Sequence, residues 1–367
     1  MSKIPFVNLE RQIVELRGEL LAAVSCVLDD QSFIQGPHVD QFELDFARAH
    51  GLAHAIGCGN GTVAISLALE ALGVGRGDEV IVPAHTFAAT AAAVCHVGAV
   101  PVFVDIEPEA YTLDPRDFEA KLGPVTKAVI PVHIYGTPCQ MDQIVSVAAN
   151  GNDLVIVEDA AQAHLARYRG ESIGTRGHAA TFSFYPGKNL GGYGDSGAVL
   201  TSHAPIAARL RKLRDHGRSG KYLHEVLGYN CRMDGMQAAM LSVKLPHLAQ
   251  WTQHRRTAAA RYDESFVARG FKVIRPPAES SAVHHLYIVE VSNRDEVQRH
   301  LQSRDIATGV HYPVPLHRQP AFAKFARGPL PVTERVAERI VSLPICGSIH
   351  VDEQDRVIES FLEIAQP

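Results

Sequence analysis

Leu154-Val155-Ile156-Val157-Glu158-Asp159-Ala160-Ala161-Gln162-Ala163-His164 holds the reading of the fold. Four consecutive apolar residues ending in two acids suit a buried strand whose last residues reach a polar edge. The same unit recurs upstream. β-rich runs at 53–58, 79–82, 102–106 and 127–133 alternate with helical stretches at 62–72, 87–97, 115–122 and 140–149. Turn residues close nearly every unit: Gly73, Gly75, Gly77, Gly98, Pro108, Gly123, Pro124, Gly136 and Gly151. This repetition predicts an α/β fold with a mostly parallel central sheet flanked by helices. In such sheets ligands gather at the carboxyl ends of the strands, where Asp159 and His133 fall.

Outward from that core, Leu9, Ile13, Leu16, Leu20, Val24 and Val27 recur every three or four residues and predict an amphipathic helix over 9–28. A shorter helix follows Gly36-Pro37, using Phe42 and Phe46. Past a long helical stretch at 232–265 the pattern changes. Strand-like Phe271-Lys272-Val273-Ile274 and Leu286-Tyr287-Ile288-Val289-Glu290-Val291, a helix at 294–303 and a last helix at 352–365 predict a smaller C-terminal α/β domain. The expected division is a large domain over 1–250, with the N-terminal helices, and a small one over 251–367.

A chain of 367 residues, 46% hydrophobic, can bury a substantial core, and its formal charge of −5 gives no reason to expect nucleic acid or an anionic membrane as partner. Met1-Ser2-Lys3-Ile4-Pro5-Phe6 lacks the apolar stretch of a secretory signal, and the most hydrophobic region, 87–104, is broken by His96, Gly98 and Pro101. The six cysteines show no C-x-x-C spacing and the 19 histidines form no H-E-x-x-H. The expectation is a cytoplasmic protein with free thiols and no metal.

Chemistry enters at Lys188, in Ser183-Phe184-Tyr185-Pro186-Gly187-Lys188-Asn189-Leu190-Gly191, a glycine-rich turn after a strand-like run. A lysine held there can form a Schiff base, and its pairing with Asp159 suggests pyridoxal phosphate. A carboxylate beside the pyridine nitrogen favours the protonated ring, which then accepts electrons. Taken alone, Asp159 equally suits a turn cap, and Lys188 a solvated loop lysine. For the phosphate, Gly57-Cys58-Gly59-Asn60-Gly61-Thr62 lies between strand and helix, so its amides can cradle an anion. Gly61 and Thr62 are best placed, although such turns are also common as plain structure, and Ser183 adds a hydroxyl. Gly192-Tyr193-Gly194-Asp195-Ser196-Gly197 matches the dinucleotide fingerprint in form, but Ala198-Val199-Leu200 after it is a strand and not a helix. These glycines read instead as tight backbone around the lysine loop.

The chain resembles the sugar aminotransferases of the DegT/DnrJ/EryC1/StrS family, a branch of the aspartate-aminotransferase-like, fold type I pyridoxal enzymes. The resemblance rests on Pro83-Ala84-His85-Thr86-Phe87-Ala88-Ala89-Thr90, Pro131-Val132-His133-Ile134-Tyr135-Gly136, the segments around Asp159 and Lys188, Gly228-Tyr229-Asn230-Cys231-Arg232-Met233-Asp234, and Gly309-Val310-His311-Tyr312-Pro313-Val314-Pro315-Leu316-His317. It implies that Lys188 is the Schiff-base lysine, Asp159 pairs with the ring nitrogen, Gln162 reaches the ring hydroxyl and Phe87 stacks on the ring. Gly61, Thr62 and Ser183 would hold the phosphate. Asn230 would come from the neighbouring subunit, making a homodimer with a shared active site. Ser196 stands where relatives often carry glycine. Relatives that dehydrate sugars carry histidine at the lysine position, whereas this chain keeps Lys188.

The implied reaction moves an amino group from L-glutamate, through the pyridoxamine phosphate form, to a nucleotide-linked keto-deoxysugar. The segments at 83–87 and 311–317 look most like the branch that makes 3-amino sugars from dTDP-3-keto-6-deoxyhexoses. His85, Tyr185, His311, Tyr312 and His317 are substrate-side candidates; His133 and His164 read as structural. The alternatives are a 4-keto sugar or keto-cyclitol aminotransferase, and a non-catalytic regulatory protein that binds pyridoxal phosphate.

Overall fold

The β-rich runs become strands β1 (His54–Cys58), β2 (Glu79–Pro83), β3 (Val100–Val104), β4 (Thr126–Val129) and β5 (Val155–Asp159) in the computed structural model, which describes residues 3–150 and 154–367. Gly151 and Met1-Ser2 lie outside the described residues. A ribbon of β6 (Arg167–Tyr168) and β7 (Glu171–Ser172) precedes β8 (Ala179–Ser183) and β9 (Gly197–Thr201). The central sheet has seven strands in the order β1-β9-β8-β5-β4-β2-β3. From β8 across to β3 every pair is parallel, while β9 runs antiparallel to both its neighbours. The connection from β8 to β9 returns directly without a crossover helix, which only an antiparallel partner permits. That connection carries Lys188.

Alternation of side chains explains the layering. Val155 and Val157 of β5, with Val80 and Val82 of β2, join one apolar core; Ile156 and Ile81 join the other. A strand buried on both faces needs apolar residues at every position, which is the pattern of the deciding stretch. Helices α1 (Glu10–Asp30), α2 (Pro37–His50), α3 (Gly61–Ala71), α4 (Ala88–His96), α5 (Pro115–Ala120), α6 (Met141–Asn150) and α7 (Ala204–Leu213) belong with this sheet.

The expected helical stretch at 232–265 is two helices, α8 (Gly235–Lys244) and α9 (Leu248–Val267), joined by a 3-10 turn at Leu245–His247. Pro246 has no N–H to continue the α-helical ladder, so the chain tightens there. Beyond a short strand β10 (Ser280–Ser281), which pairs with β6, a third core forms. It contains the antiparallel pair β11 (Tyr287–Glu290) and β12 (Ile340–Leu343), packed by α9, α10 (Arg294–Ser303) and α12 (Val351–Leu362); α11 (Pro331–Arg339) leads into β12. The expected strand at 271–274 is a correction: only Val273 pairs, through one bridge to Val289. Ile4 packs into this C-terminal core. All six cysteines are free, and no helix among the described residues is long and apolar enough to cross a membrane.

Candidate active site at the strand ends

Adjacent parallel strands β5 and β8 bring two site segments together, with Asp159 in register with Thr181, two residues before Ser183. Asp159 is buried. Its Oδ2 accepts from Thr90 Oγ1 at 2.8 Å and its Oδ1 from the Ala161 amide at 3.2 Å. Burial pushes its carboxyl pKa up, while Thr90, Ala161 and then Lys188 pull it down. No cation among the described residues forms an ion pair with it, so this carboxylate suits a cationic partner such as a protonated ring nitrogen. Burial lowers the Lys188 amine to about 8, against the opposing pull of Asp159. A group so placed gives up its proton near neutrality.

β1 enters α3 through Gly59 and Asn60, and the Asn60 side chain caps the helix by accepting from the Val63 amide at 2.9 Å. Gly61, the first helical residue, presses on Ser183: a Cβ on Gly61 would lie 2.7 Å from the Ser183 Cβ. Thr62 follows, so the start of α3 and the end of β8 converge, and no hydrogen bond among the described residues takes up the Gly61 or Thr62 amide. Behind it, Glu43 accepts from the Gly57 amide at 2.7 Å and pairs with buried Arg214, which itself donates to the Gly57 carbonyl at 2.7 Å. The cradle is therefore fixed from below by a buried ion pair.

On the other side, Gln162 Oε1 accepts from the Tyr135 amide and its Nε2 donates to the Tyr312 hydroxyl at 3.3 Å, leaving the second amide proton unused. The Tyr135 hydroxyl donates to the His311 carbonyl, so His85 Nε2 must carry the proton it shares with Tyr135 across 2.6 Å. His85 Nδ1 is then buried with no partner among the described residues, and burial pushes His85 down to about 4. His311 Nδ1 meets Ser342 Oγ at 2.8 Å, and its ring stacks on Phe6. Phe87, at the start of α4, is 57% exposed and faces Tyr312 at 5.7 Å between ring centroids.

Among the described residues, the remaining expected ones make no hydrogen bond to Gln162 or Tyr135. Tyr185 is exposed on the Lys188 loop. His317 is buried and binds Glu334 at 2.9 Å, an anchor between its loop and α11. Asn230 is exposed, its Oδ1 accepting from Arg232 at 2.7 Å. His133 is held in one tautomer, donating to Glu158 at 2.9 Å and accepting from the Cys139 amide at 3.0 Å, as a structural histidine would be. Sequence reasoning missed Thr90 and Tyr135. Both stand in the stretches quoted for the family resemblance, but neither carries a local sign of its distant partner.

A family model described as the DegT/DnrJ/EryC1/StrS aminotransferase family matches residues 14–362. Among curated proteins, the chain is 44% identical over 365 residues to a pleiotropic regulatory protein of Geobacillus stearothermophilus, with 98% of each chain covered. It is also 44% identical over 369 residues to the dTDP-3-amino-3,4,6-trideoxy-alpha-D-glucose transaminase of Streptomyces venezuelae, covering 99% of this chain and 97% of that one. The solved structure of S. venezuelae DesV in complex with a ketimine intermediate matches with a TM-score of 0.96 at 44% identity, over 99% of this chain and 98% of that chain.

Proposed function

Because the chain belongs to the DegT/DnrJ/EryC1/StrS aminotransferase family, we propose that it moves an amino group from L-glutamate to a nucleotide-linked keto-deoxysugar, releasing 2-oxoglutarate and the amino sugar. The observation that carries the reading is the meeting of Asp159, a buried carboxylate in no ion pair among the described residues, with Lys188, whose amine burial lowers to about 8, at and just past the ends of neighbouring strands. Pyridoxal phosphate supplies an aldehyde that exchanges amines and a ring that accepts an electron pair.

In this reading Asp159 holds the ring nitrogen protonated, kept in place by Thr90. Lys188 would hold the cofactor aldehyde, and its neutral Nζ would be the base that takes up and returns a proton at the carbon bearing the transferred nitrogen. The α3 amides at Gly61 and Thr62, with the Thr62 and Ser183 hydroxyls, bind the phosphate. Gln162 offers its spare amide proton to the ring hydroxyl, and Phe87 covers the ring face. His85, Tyr185, His311 and Tyr312 line the substrate side; His317 supports that side through Glu334. Residues 1–250 thus carry the cofactor, and 251–367 bring the 309–317 segment over it. Asn230 serves the partner's site in a homodimer, and the reaction runs in the cytoplasm.

The likeness to the S. venezuelae transaminase, whose name specifies a 3-amino sugar, supports amination at carbon 3 of a dTDP-linked 6-deoxyhexose. Incubation with pyridoxal phosphate, L-glutamate and dTDP-3-keto-6-deoxyhexose, read by mass spectrometry and NMR, should give the 3-amino sugar. Product only from a 4-keto sugar or keto-cyclitol would move the site of amination. The regulatory description of the Geobacillus relative favours a second reading, cofactor binding without turnover. It predicts bound cofactor that glutamate does not convert to the amine form.

A further inference from the structure

The connection carrying Lys188 is a closed loop. The Gly192 amide donates to the Phe184 carbonyl at 2.8 Å and the Lys188 amide to the Tyr185 carbonyl at 2.8 Å. At its neck Gly191 lies against Pro186 so closely that any Cβ would meet the Pro186 carbonyl. Helix α8 grips this neck at two points seven residues apart, and so on one face. Gln237 Oε1 accepts from the Tyr193 amide at 2.9 Å and fills the space beside Gly192 and Gly194. Lys244 donates from Nζ to the Gly191 carbonyl, with the Tyr193 ring centroid 4.9 Å away.

Lys244 is only 2% exposed, and no carboxylate among the described residues lies within ion-pair distance of it. One carbonyl and one ring face are poor compensation for removing an ammonium from water, and burial lowers its pKa to about 8. A buried charge of this kind costs stability, and an apolar side chain of similar length would pack there at less cost. A residue that weakens the fold where it sits calls for a different account of its use. The carbonyl it holds closes the loop that presents Lys188.

We propose that Lys244 is a positioning residue for Lys188, clamping the neck of its loop through the Gly191 carbonyl so that the lysine is presented in one place. This rests on the reading of Lys188 as the cofactor-bearing lysine. The test is Lys244→Met in the holoprotein, with Lys244→Arg as the variant that keeps a cationic donor. For Lys244→Met the clamp predicts an unchanged or raised Tm, amide exchange over 186–194 faster by about 10-fold, and kcat lower by roughly 10-fold with KM for glutamate nearly unchanged. A merely structural lysine predicts a lower Tm with no selective change at 186–194, and that result overturns the proposal. So does unchanged exchange with unchanged kcat.

Should Lys244→Met not fold, Lys244→Arg decides. A change in exchange confined to 186–194, with kcat moving in step, upholds the clamp; a lower Tm with no selective change at 186–194 overturns it. Failure of the aminotransferase reading is separable, because it shows as an unaltered protein without turnover, whereas the exchange measurement needs no turnover.

Discussion

Asp159 and Lys188 shape each other through the same low-dielectric surroundings. Burial disfavours both charged forms, raising the acid and lowering the amine, and their mutual attraction partly restores them. Only the neutral amine attacks an aldehyde, so in cofactor-free protein the rate of pyridoxal phosphate addition should rise with pH around a midpoint of about 8, in place of the ordinary 10.5. Asp159→Asn removes the charge that holds the amine up and should move this midpoint lower. Stopped-flow absorbance across the pH range checks both; a midpoint that rises in the variant would contradict the pairing. Lys188→Ala should cut amino transfer by at least about 100-fold, the usual scale for losing a positioned base, measured as 2-oxoglutarate released. That Asp159 ends a buried strand and Lys188 follows another was legible, because each stands in a strongly patterned local stretch. Tyr135 was not, since its hydroxyl works through His311, 176 residues further along the chain, and no local pattern encodes such a meeting.

At the scale of elements, the turn that begins α3 carries a specific demand. A methyl group on Gly61 would be driven into Ser183, so Gly61→Ala should part the two halves of the phosphate cradle and weaken cofactor retention by about 10-fold or more, as a misplacement of around 1 Å does. Equilibrium dialysis of the cofactor measures it. Asp105, just past β3, caps α11 from across the fold: its Oδ1 accepts from the Thr333 amide at 2.8 Å and its Oδ2 from the Val332 amide at 3.0 Å. Asp105→Ala leaves those amides unpaired and should cost about 1–3 kcal/mol in chemical denaturation, since these donors are at least partly shielded from water. The strands of the central sheet were readable because full burial enforces unbroken apolar runs. β12 carries no such signal, since Ile340-Val341-Ser342-Leu343 follows α11 with no turn between them and interrupts its run with Ser342. At 271–274 the composition suits a strand, but only Val273 finds a partner.

At the scale of the molecule, α1 has two apolar faces. Leu16, Leu20 and Val27 are buried against the body, the face that periodicity made legible. Val14, Leu21 and Leu28 recur every seventh residue on another side and are 70%, 57% and 53% exposed. The 215–231 segment also turns Tyr222, Leu223 and Leu227 outward, yet its base is pinned: Asp215 pairs with Arg218 and Arg232, and the Tyr229 hydroxyl donates to Glu70 at 2.6 Å. Apolar surface of this kind on a braced scaffold suits a second copy of the chain, with Asn230 carried on the same segment. Nothing in the residue pattern tells this outer stripe from core, because periodicity reports a face but not what covers it. If Asn230 serves the opposite subunit, Lys188→Ala and Asn230→Ala subunits, each inactive alone, should regain activity on mixing. In a hybrid dimer one site holds both lesions and the other holds neither. Random pairing makes half of the dimers hybrid, each with one intact site of two, so recovery should approach roughly a quarter of full activity. If Asn230 acts within its own subunit, each hybrid site keeps one lesion and mixing restores nothing.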